Sequence, residues 1–179
     1  MSKRVLIIHG WGGSSYPHWQ AQLASDLIKE DYIISFPSLP NKDLPTLDVW
    51  SEFIKKEIEH FNPDIVVCHS LGNILWFHIV DEINISLERL LLVAPVRLEC
   101  NIEEVRSFFP YKHPKDLKAE HISIAASTND PYLNLEEAKQ LQKELGVNME
   151  IFNDAGHLNA DSGFGKFDYA YDFVTKDFK

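Results

Sequence analysis

The sequence predicts an α/β fold built on a mostly parallel sheet. Six short apolar runs are spread along the chain, and segments with helical periodicity lie between several of them. A short, continuously apolar run is typical of a strand that is buried on both faces. Strands that alternate with helices form βαβ units, and such units give a parallel sheet. The six predicted strands are residues 5–8, 32–36, 65–67, 90–93, 122–126 and 149–152.

Two of the intervening helices carry recognisable end signals. In residues 46–61, apolar side chains recur at three- and four-residue spacing, and Thr46 has the side chain of an N-cap. Asn134 is another N-cap type of residue, with Glu137 three positions later, and Gly146 is placed to end the helix that begins there. The other predicted helices are residues 19–28, the apolar segment that follows Ser70, and residues 167–174.

Length and composition favour one globular domain that covers residues 1–179. The hydrophobic fraction is 45% and the charged fraction is 25%, close to the averages of globular proteins. Seventeen basic and 27 acidic residues give a formal net charge of −10, which disfavours nucleic acid or an anionic membrane surface as a partner. The chain has two cysteines, and we see neither a signal-peptide pattern nor an apolar run of ~18 residues. We therefore expect a cytoplasmic protein.

Residues 66–73 come close to the Gly-x-Ser-x-Gly turn that presents a catalytic serine. Ser70 follows a predicted strand and precedes a predicted helix, which is the context in which such a turn pushes the hydroxyl toward a substrate. Gly72 supplies the second glycine, but Cys68 stands in place of the first. A buried cysteine behaves as a small hydrophobe, so we interpret Cys68 as structural rather than as a redox or nucleophilic thiol. Whether its larger side chain strains the turn and slows catalysis stays open.

Candidate partners of Ser70 follow other predicted strands. Asp130 comes after the fifth strand and His157 after the sixth, so all three belong to one rim of the sheet. The order Ser, Asp, His is that of the α/β-hydrolase triad. His157 would take the serine proton and later give it to the leaving group, while Asp130 would fix the tautomer of the imidazole.

Several other residues compete for these roles. Asp154 lies three residues before His157 and is the alternative acid, whereas Asp161 and Asp168 fit a loop or a helix surface better. Among the other histidines, His69 is expected to turn away from the serine hydroxyl. No histidine pair has zinc-ligand spacing with a third ligand, so we expect no metal. The remaining histidines are His9, expected to brace the first loop, His78, expected in the core, and His18, His60, His113 and His121, whose positions do not favour chemistry.

Backbone donors for the oxyanion are expected at two turns. The Leu71 N–H lies at the start of a helix, and the Trp11 N–H lies in the glycine-rich turn after the first strand. Aromatic residues offer candidate walls for a substrate pocket, because pockets are mostly apolar and aromatic. Local packing is an equally good interpretation of them. These candidates, besides Trp11, are Tyr16, Phe108, Phe109 and Tyr111.

Four pieces occur in order along the chain: His9-Gly10 with Trp19, His69-Ser70-Leu71-Gly72, Asp130-Pro131-Tyr132, and Gly156-His157-Leu158-Asn159 leading into Gly163-Phe164-Gly165. As a set, they resemble the small α/β-hydrolase family that includes retinoblastoma-binding protein nine and its bacterial relatives. The resemblance implies a three-layer α/β/α sandwich with a six-stranded parallel sheet and no large cap domain. It also implies hydrolysis of carboxylic esters or related acyl groups, and it specifies no particular substrate.

The sequence therefore predicts a serine hydrolase that cleaves a small ester through an acyl-enzyme on Ser70. Amides and thioesters stay open as substrates, because the same triad attacks them. The expected partner is a small-molecule acyl substrate, no cofactor is expected, and no protein partner can be identified. The rival hypothesis is a protein-binding module that retains the hydrolase fold, since a fold does not fix a function.

Overall fold

The computed structural model describes residues 2–176 and contains a six-stranded sheet whose neighbouring strands all run parallel. The spatial order is β2-β1-β3-β4-β5-β6, so the chain first winds toward one edge and then returns to build toward the other. All six predicted strands are confirmed. Their bounds are Arg4–Ile8 (β1), Ile33–Ser35 (β2), Ile65–His69 (β3), Leu87–Val93 (β4), Ala119–Ser127 (β5) and Asn148–Phe152 (β6).

Within the described residues, five α-helices connect or follow these strands: Trp19–Lys29 (α1), Leu47–Phe61 (α2), Leu71–Ile79 (α3), Leu135–Leu145 (α4) and Asp168–Thr175 (α5). Asn134 and Glu137 form a reciprocal capping box at the start of α4, and Gly146 ends that helix in the left-handed conformation, as predicted. Thr46 does precede α2, but its side chain makes no capping bond. Instead, the Leu47 N–H donates to Ser107 Oγ, so a side chain distant in sequence satisfies one donor of this helix end.

The helices cover both faces of the sheet, which confirms the three-layer arrangement. Side chains alternate along β3: Val66 and Cys68 pack in the apolar cluster that includes α2, α3 and α4. Ile65 and Val67 pack in a second cluster, which includes α1 and α5. Every residue of β3 is buried, as expected for the central strand of a doubly covered parallel sheet.

The connection between β4 and β5 is irregular and compact. It contains one short 3-10 helix, Glu103–Phe108, rather than a cap domain. The loops after β1, β3, β5 and β6 leave the same edge of the sheet, where ligands bind in parallel α/β folds. Among residues 2–176, none of the helices is long and apolar enough to cross a membrane.

Candidate active site

Ser70 sits in a strained turn between β3 and α3. Its φ of 53° and ψ of −123° lie in a region that residues with a side chain rarely adopt. Backbone and side-chain bonds hold this conformation: the Ser70 N–H donates to the Val93 carbonyl at 3.0 Å, and Asn73 Nδ2 donates to the carbonyls of both Ser70 and Val93. The turn is therefore fixed to β4, the next strand of the sheet.

The second glycine of the motif is required by close packing. A methyl group on Gly72 would come within 2.8 Å of the Ile8 carbonyl oxygen and 2.9 Å of the His9 carbonyl oxygen, so a larger residue would push α3 away from β1. Cys68, in place of the first glycine, is fully buried in the apolar cluster beside α3. Burial raises the pKa of its thiol, which keeps the sulfur protonated and unreactive.

The three predicted triad residues form one chain of hydrogen bonds. His157 Nε2 lies 2.8 Å from Ser70 Oγ, and His157 Nδ1 lies 2.8 Å from Asp130 Oδ2 and 3.0 Å from Asp130 Oδ1. An ionised carboxylate only accepts hydrogen bonds, so the imidazole proton is assigned to Nδ1. Nε2 is then the unprotonated nitrogen that accepts the serine O–H. Asp130 and His157 are both buried, which shields this pairing from water.

Bonds between two loops bring Asp130 and His157 together. The end of β5 and the loop after it accept three backbone N–H groups from the loop after β6, and β5 and β6 are neighbours in the sheet. These acceptors are side chains: Ser127 Oγ bonds the Ala155 N–H, and Asn129 Oδ1 bonds the Gly156 N–H. The third contact uses the alternative acid, Asp154, whose N–H donates to Thr128 Oγ1 while its side chain is exposed. The geometry thus places Asp130, and not Asp154, on His157.

His69 makes no hydrogen bond to the serine hydroxyl and contacts the backbone of His157 instead. Its Nε2 donates to the His157 carbonyl at 3.1 Å, and the two rings are 5.2 Å apart. Burial, together with the neighbouring His157 and His18, holds the pKa of His69 well below its usual value. His69 is therefore a neutral donor that fixes the loop carrying His157.

His18 also lies in the site, although its position in the sequence gave no reason to expect chemistry there. It caps α1 with Nδ1, which accepts the Gln20 N–H at 3.2 Å, and its ring is 4.9 Å from that of His69. Burial, with a smaller effect of His157, lowers the pKa of His18 to about 4. The sequence signal that could have located it is its place directly before a predicted helix, where a side chain that accepts from the backbone is favoured.

The two predicted oxyanion donors lie on turns that are firmly held. Leu71 is the first residue of α3, so its N–H has no carbonyl within the helix to bond. The Trp11 turn is tied to a neighbouring loop, where the indole N–H donates to the Asp43 carbonyl and the Gly12 N–H donates to the Lys42 carbonyl, both at 3.0 Å. Within residues 2–176, the backbone N–H of Trp11 donates to no protein acceptor.

A cleft of about 530 Å³ opens above Ser70. Most of the aromatic residues predicted to line a pocket do not line this cleft. Trp11 and Phe109 line it, as expected. Tyr16 is 78% exposed and lies outside the cleft, because its loop turns it to solvent. Phe108 is fully buried with its ring against Trp50. Tyr111 is also buried, and its hydroxyl donates to the Val96 carbonyl. Both residues therefore pack behind the cleft wall and do not line it.

No group of three or more metal-ligating side chains could hold a metal ion in the part of the chain that the structure describes. The strand order, the helices on both faces and the strand–turn–helix at Ser70 define an α/β-hydrolase fold. The chain belongs to the serine hydrolase family, whose family model matches residues 5–176.

Individual proteins are similar to this chain along nearly its whole length. The chain is 25% identical to YdeN from Bacillus subtilis over 99% of its own length and 97% of YdeN. The crystal structure of the B. subtilis ydeN product superposes with a TM-score of 0.87 at 23% identity, covering 97% of each chain. A carboxylesterase structure from Nitrososphaera gargenis superposes with a TM-score of 0.68 at 12% identity, covering 97% of this chain and 88% of the other. These likenesses show the fold.

Proposed function

We propose that the protein cleaves small carboxylic esters, or related acyl substrates, with Ser70 as the nucleophile. One observation carries the proposal: Ser70 Oγ, His157 and Asp130 form a continuous hydrogen-bonded chain at the floor of an open cleft. A serine hydroxyl becomes an effective nucleophile when a base within hydrogen-bond reach removes its proton. The membership of the serine hydrolase family and the likeness to a carboxylesterase point to the same chemistry.

In the first step, Ser70 Oγ forms a bond to the carbonyl carbon of the ester while its proton moves to His157 Nε2. The electron pair of the carbonyl bond moves onto the oxygen and makes it an oxyanion. Asp130 stabilises the imidazolium that forms and keeps its Nε2–H aimed into the cleft. The N–H groups of Trp11 and Leu71 are the proposed donors to the oxyanion, and losing one such donor typically costs about 3–4 kcal/mol of barrier.

Collapse of this intermediate breaks the bond to the leaving alcohol. The departing oxygen takes the proton from His157 Nε2, and the acyl group stays esterified to Ser70. A water molecule then attacks the acyl carbon and gives a proton to Nε2. Release of the carboxylic acid returns that proton to Ser70 Oγ, so the enzyme is regenerated without a net proton gain.

An active-site-directed fluorophosphonate tests the proposal directly. The folded protein should be labelled at Ser70, and p-nitrophenyl acetate should give a burst followed by turnover. Ser70→Ala should lose both, whereas Ser25→Ala, which changes an exposed serine on α1, should keep both. Labelling that survives Ser70→Ala would contradict the assignment. A folded wild-type protein with neither labelling nor turnover would favour the rival, a binding module on a hydrolase fold.

A further inference from the structure

The cleft above Ser70 has two chemically different sides. One side is made by the segment that follows β4, within residues 96–109. The other side is made by the loop after β1, within residues 12–18, and by the loop after β6, within residues 159–161. These two loops are tied together, because the Trp19 N–H donates to the Phe164 carbonyl at 3.1 Å. The lining of the cleft is therefore drawn from a segment after β4 and a joined pair of loops, with Pro131 and Tyr132 after β5 completing it.

The side that follows β4 is apolar. Val96 and Val105 belong to the buried cluster beside α3, and Ile102 and Phe109 pack partly buried against that cluster. Leu71 continues the same surface at the start of α3. The polar residues Arg97, Glu99 and Asn101, which also border the cleft there, are exposed to solvent. A hydrocarbon chain laid along this side would remove apolar surface from water, and each buried CH₂ stabilises binding by about 0.8 kcal/mol.

The opposite side presents polar groups, which include hydrogen-bond donors and the exposed carboxylate of Asp161. His18 Nδ1 accepts a backbone N–H, so the proton of its neutral ring is on Nε2. Asn159 Oδ1 accepts from both the N–H and the hydroxyl of Ser162, which leaves its Nδ2 without a partner among the described residues. Ser14 Oγ is buried and makes no hydrogen bond within residues 2–176. Polar groups left unpaired in a site disfavour an apolar ligand and favour one with matching acceptors.

The position of His157 decides which part of a substrate meets which side. His157 Nε2 must reach the leaving oxygen to protonate it, so the leaving group has to lie next to the imidazole. That ring packs against Tyr132, at 4.6 Å, and His69, at 5.2 Å, and His18 lies 4.9 Å from His69. Asn159, two residues after His157 on the same loop, also lines the cleft, so we place the leaving group on the side of this loop and the acyl group on the apolar side.

We propose that this hydrolase selects esters that join an apolar acyl chain to a polar, oxygen-bearing alcohol. His18 and the apolar side of the cleft are its specificity-determining elements. This inference rests on the proposed function and goes beyond it, because it assigns a side of the cleft to each half of the substrate. The critical juxtaposition is His18, a neutral donor, in the same cleft as the histidine that protonates the leaving group, with the His69 ring between them.

Two nearly isosteric esters test the leaving-group half. In 2-hydroxyethyl hexanoate a hydroxyl replaces the terminal methyl of propyl hexanoate, so the acyl group and the length of the alcohol are the same. The wild-type kcat/KM should favour the hydroxyethyl ester by roughly tenfold, the worth of one good hydrogen bond. In His18→Asn, the asparagine oxygen can still accept the Gln20 N–H and cap α1, but the distal donor is lost. In this variant the ratio of the two kcat/KM values should fall toward one. General damage to the enzyme would lower both values equally and leave their ratio unchanged.

The acyl half is tested with acetyl and hexanoyl esters of one alcohol. Hexanoyl should be preferred, and Ile102→Asp should reverse that preference by placing a charge on the apolar side. Equal rates for the matched alcohols, a preference for propyl, an undiminished preference in His18→Asn or no gain from the longer acyl chain would each overturn the inference. Fluorophosphonate labelling of Ser70 in the same preparations separates these results from failure of the proposed function, in which no labelling occurs.

Discussion

Gly10 lies directly against Ser70. A methyl group on Gly10 would come within 2.8 Å of Ser70 Cβ and 3.3 Å of its hydroxyl oxygen. The turn that carries the Trp11 N–H can therefore approach the nucleophile only because residue 10 has no side chain. The close approach of Gly10 to Ser70 thus connects the loop after β1 to the turn after β3.

Replacing Gly10 with alanine should damage catalysis more than folding. The added methyl would displace the hydroxyl of Ser70, and a misplacement of about 1 Å can cost 10²-fold in rate. We expect Gly10→Ala to lower kcat about 10²-fold in the p-nitrophenyl acetate assay while the circular dichroism spectrum is retained. Gly72→Ala is the comparison, because its methyl would strike the backbone carbonyls of Ile8 and His9 and should lower the melting temperature as well. Wild-type turnover in Gly10→Ala would contradict the contact.

Asp130→Asn should remove turnover and keep the fold. An amide in place of the carboxylate can hold His157 in the wrong tautomer, with its proton directed at Ser70, and this change typically costs about 10⁴-fold in kcat. Asp154→Asn is the matched control, because the Asp154 side chain is exposed and points to no triad residue. Steady-state kinetics of the two variants decide between the carboxylates: a large loss in Asp154→Asn with near-normal turnover in Asp130→Asn would transfer the role to Asp154.

Cys68 should be inert to alkylation and important only for stability. It is fully buried, its thiol pKa is raised, and Cys100 is partly exposed at the cleft. Iodoacetamide should therefore modify Cys100 alone in the folded protein, as read by peptide mass spectrometry. Cys68→Gly should lower the free energy of unfolding by about 1–3 kcal/mol, because it opens a cavity and loosens a strand. A marked rise in kcat in Cys68→Gly would show instead that the cysteine strains the nucleophile turn.

Acidification should destabilise the protein before its carboxylates titrate. Burial lowers the pKa of His9, His18 and His69 from the usual 6.5, to about 4 for His18. Below about pH 6.5 these histidines bind protons in the unfolded chain but stay neutral in the folded protein. The free energy of unfolding therefore falls as the pH falls. Each such histidine contributes a slope of at most about 1.4 kcal/mol per pH unit, reached between its folded and unfolded pKa values.

Thermal melts between about pH 7 and pH 5 measure this effect. The melting temperature should decrease with pH in the wild type, and it should decrease less steeply in His18→Asn, which lacks one of the three groups. A melting temperature that stays constant over this range would mean that the three imidazoles take up protons in the folded state.

The sequence was sufficient for the parts of the site that depend on strand order. Ser70, Asp130 and His157 each follow a buried strand, and parallel strands must end at one edge, so their meeting could be predicted. The cleft wall could not be predicted in the same way. Phe108 and Phe109 are adjacent and equally apolar, yet one fills the core and the other lines the cleft, because the 3-10 helix ends between them. His18 was missed for a related reason: a capping role and a place in the cleft arise from how a loop folds back on its helix.

The strained φ of Ser70 has a consequence for how this protein would change under selection for stability alone. A residue with a side chain in such a conformation costs about 1–3 kcal/mol, a cost that glycine largely avoids. A screen that selected for thermal stability without assaying turnover would therefore enrich glycine at position 70. The selected variants would be more stable and catalytically inactive. Retention of serine there in laboratory evolution would in turn indicate that the hydroxyl is being used.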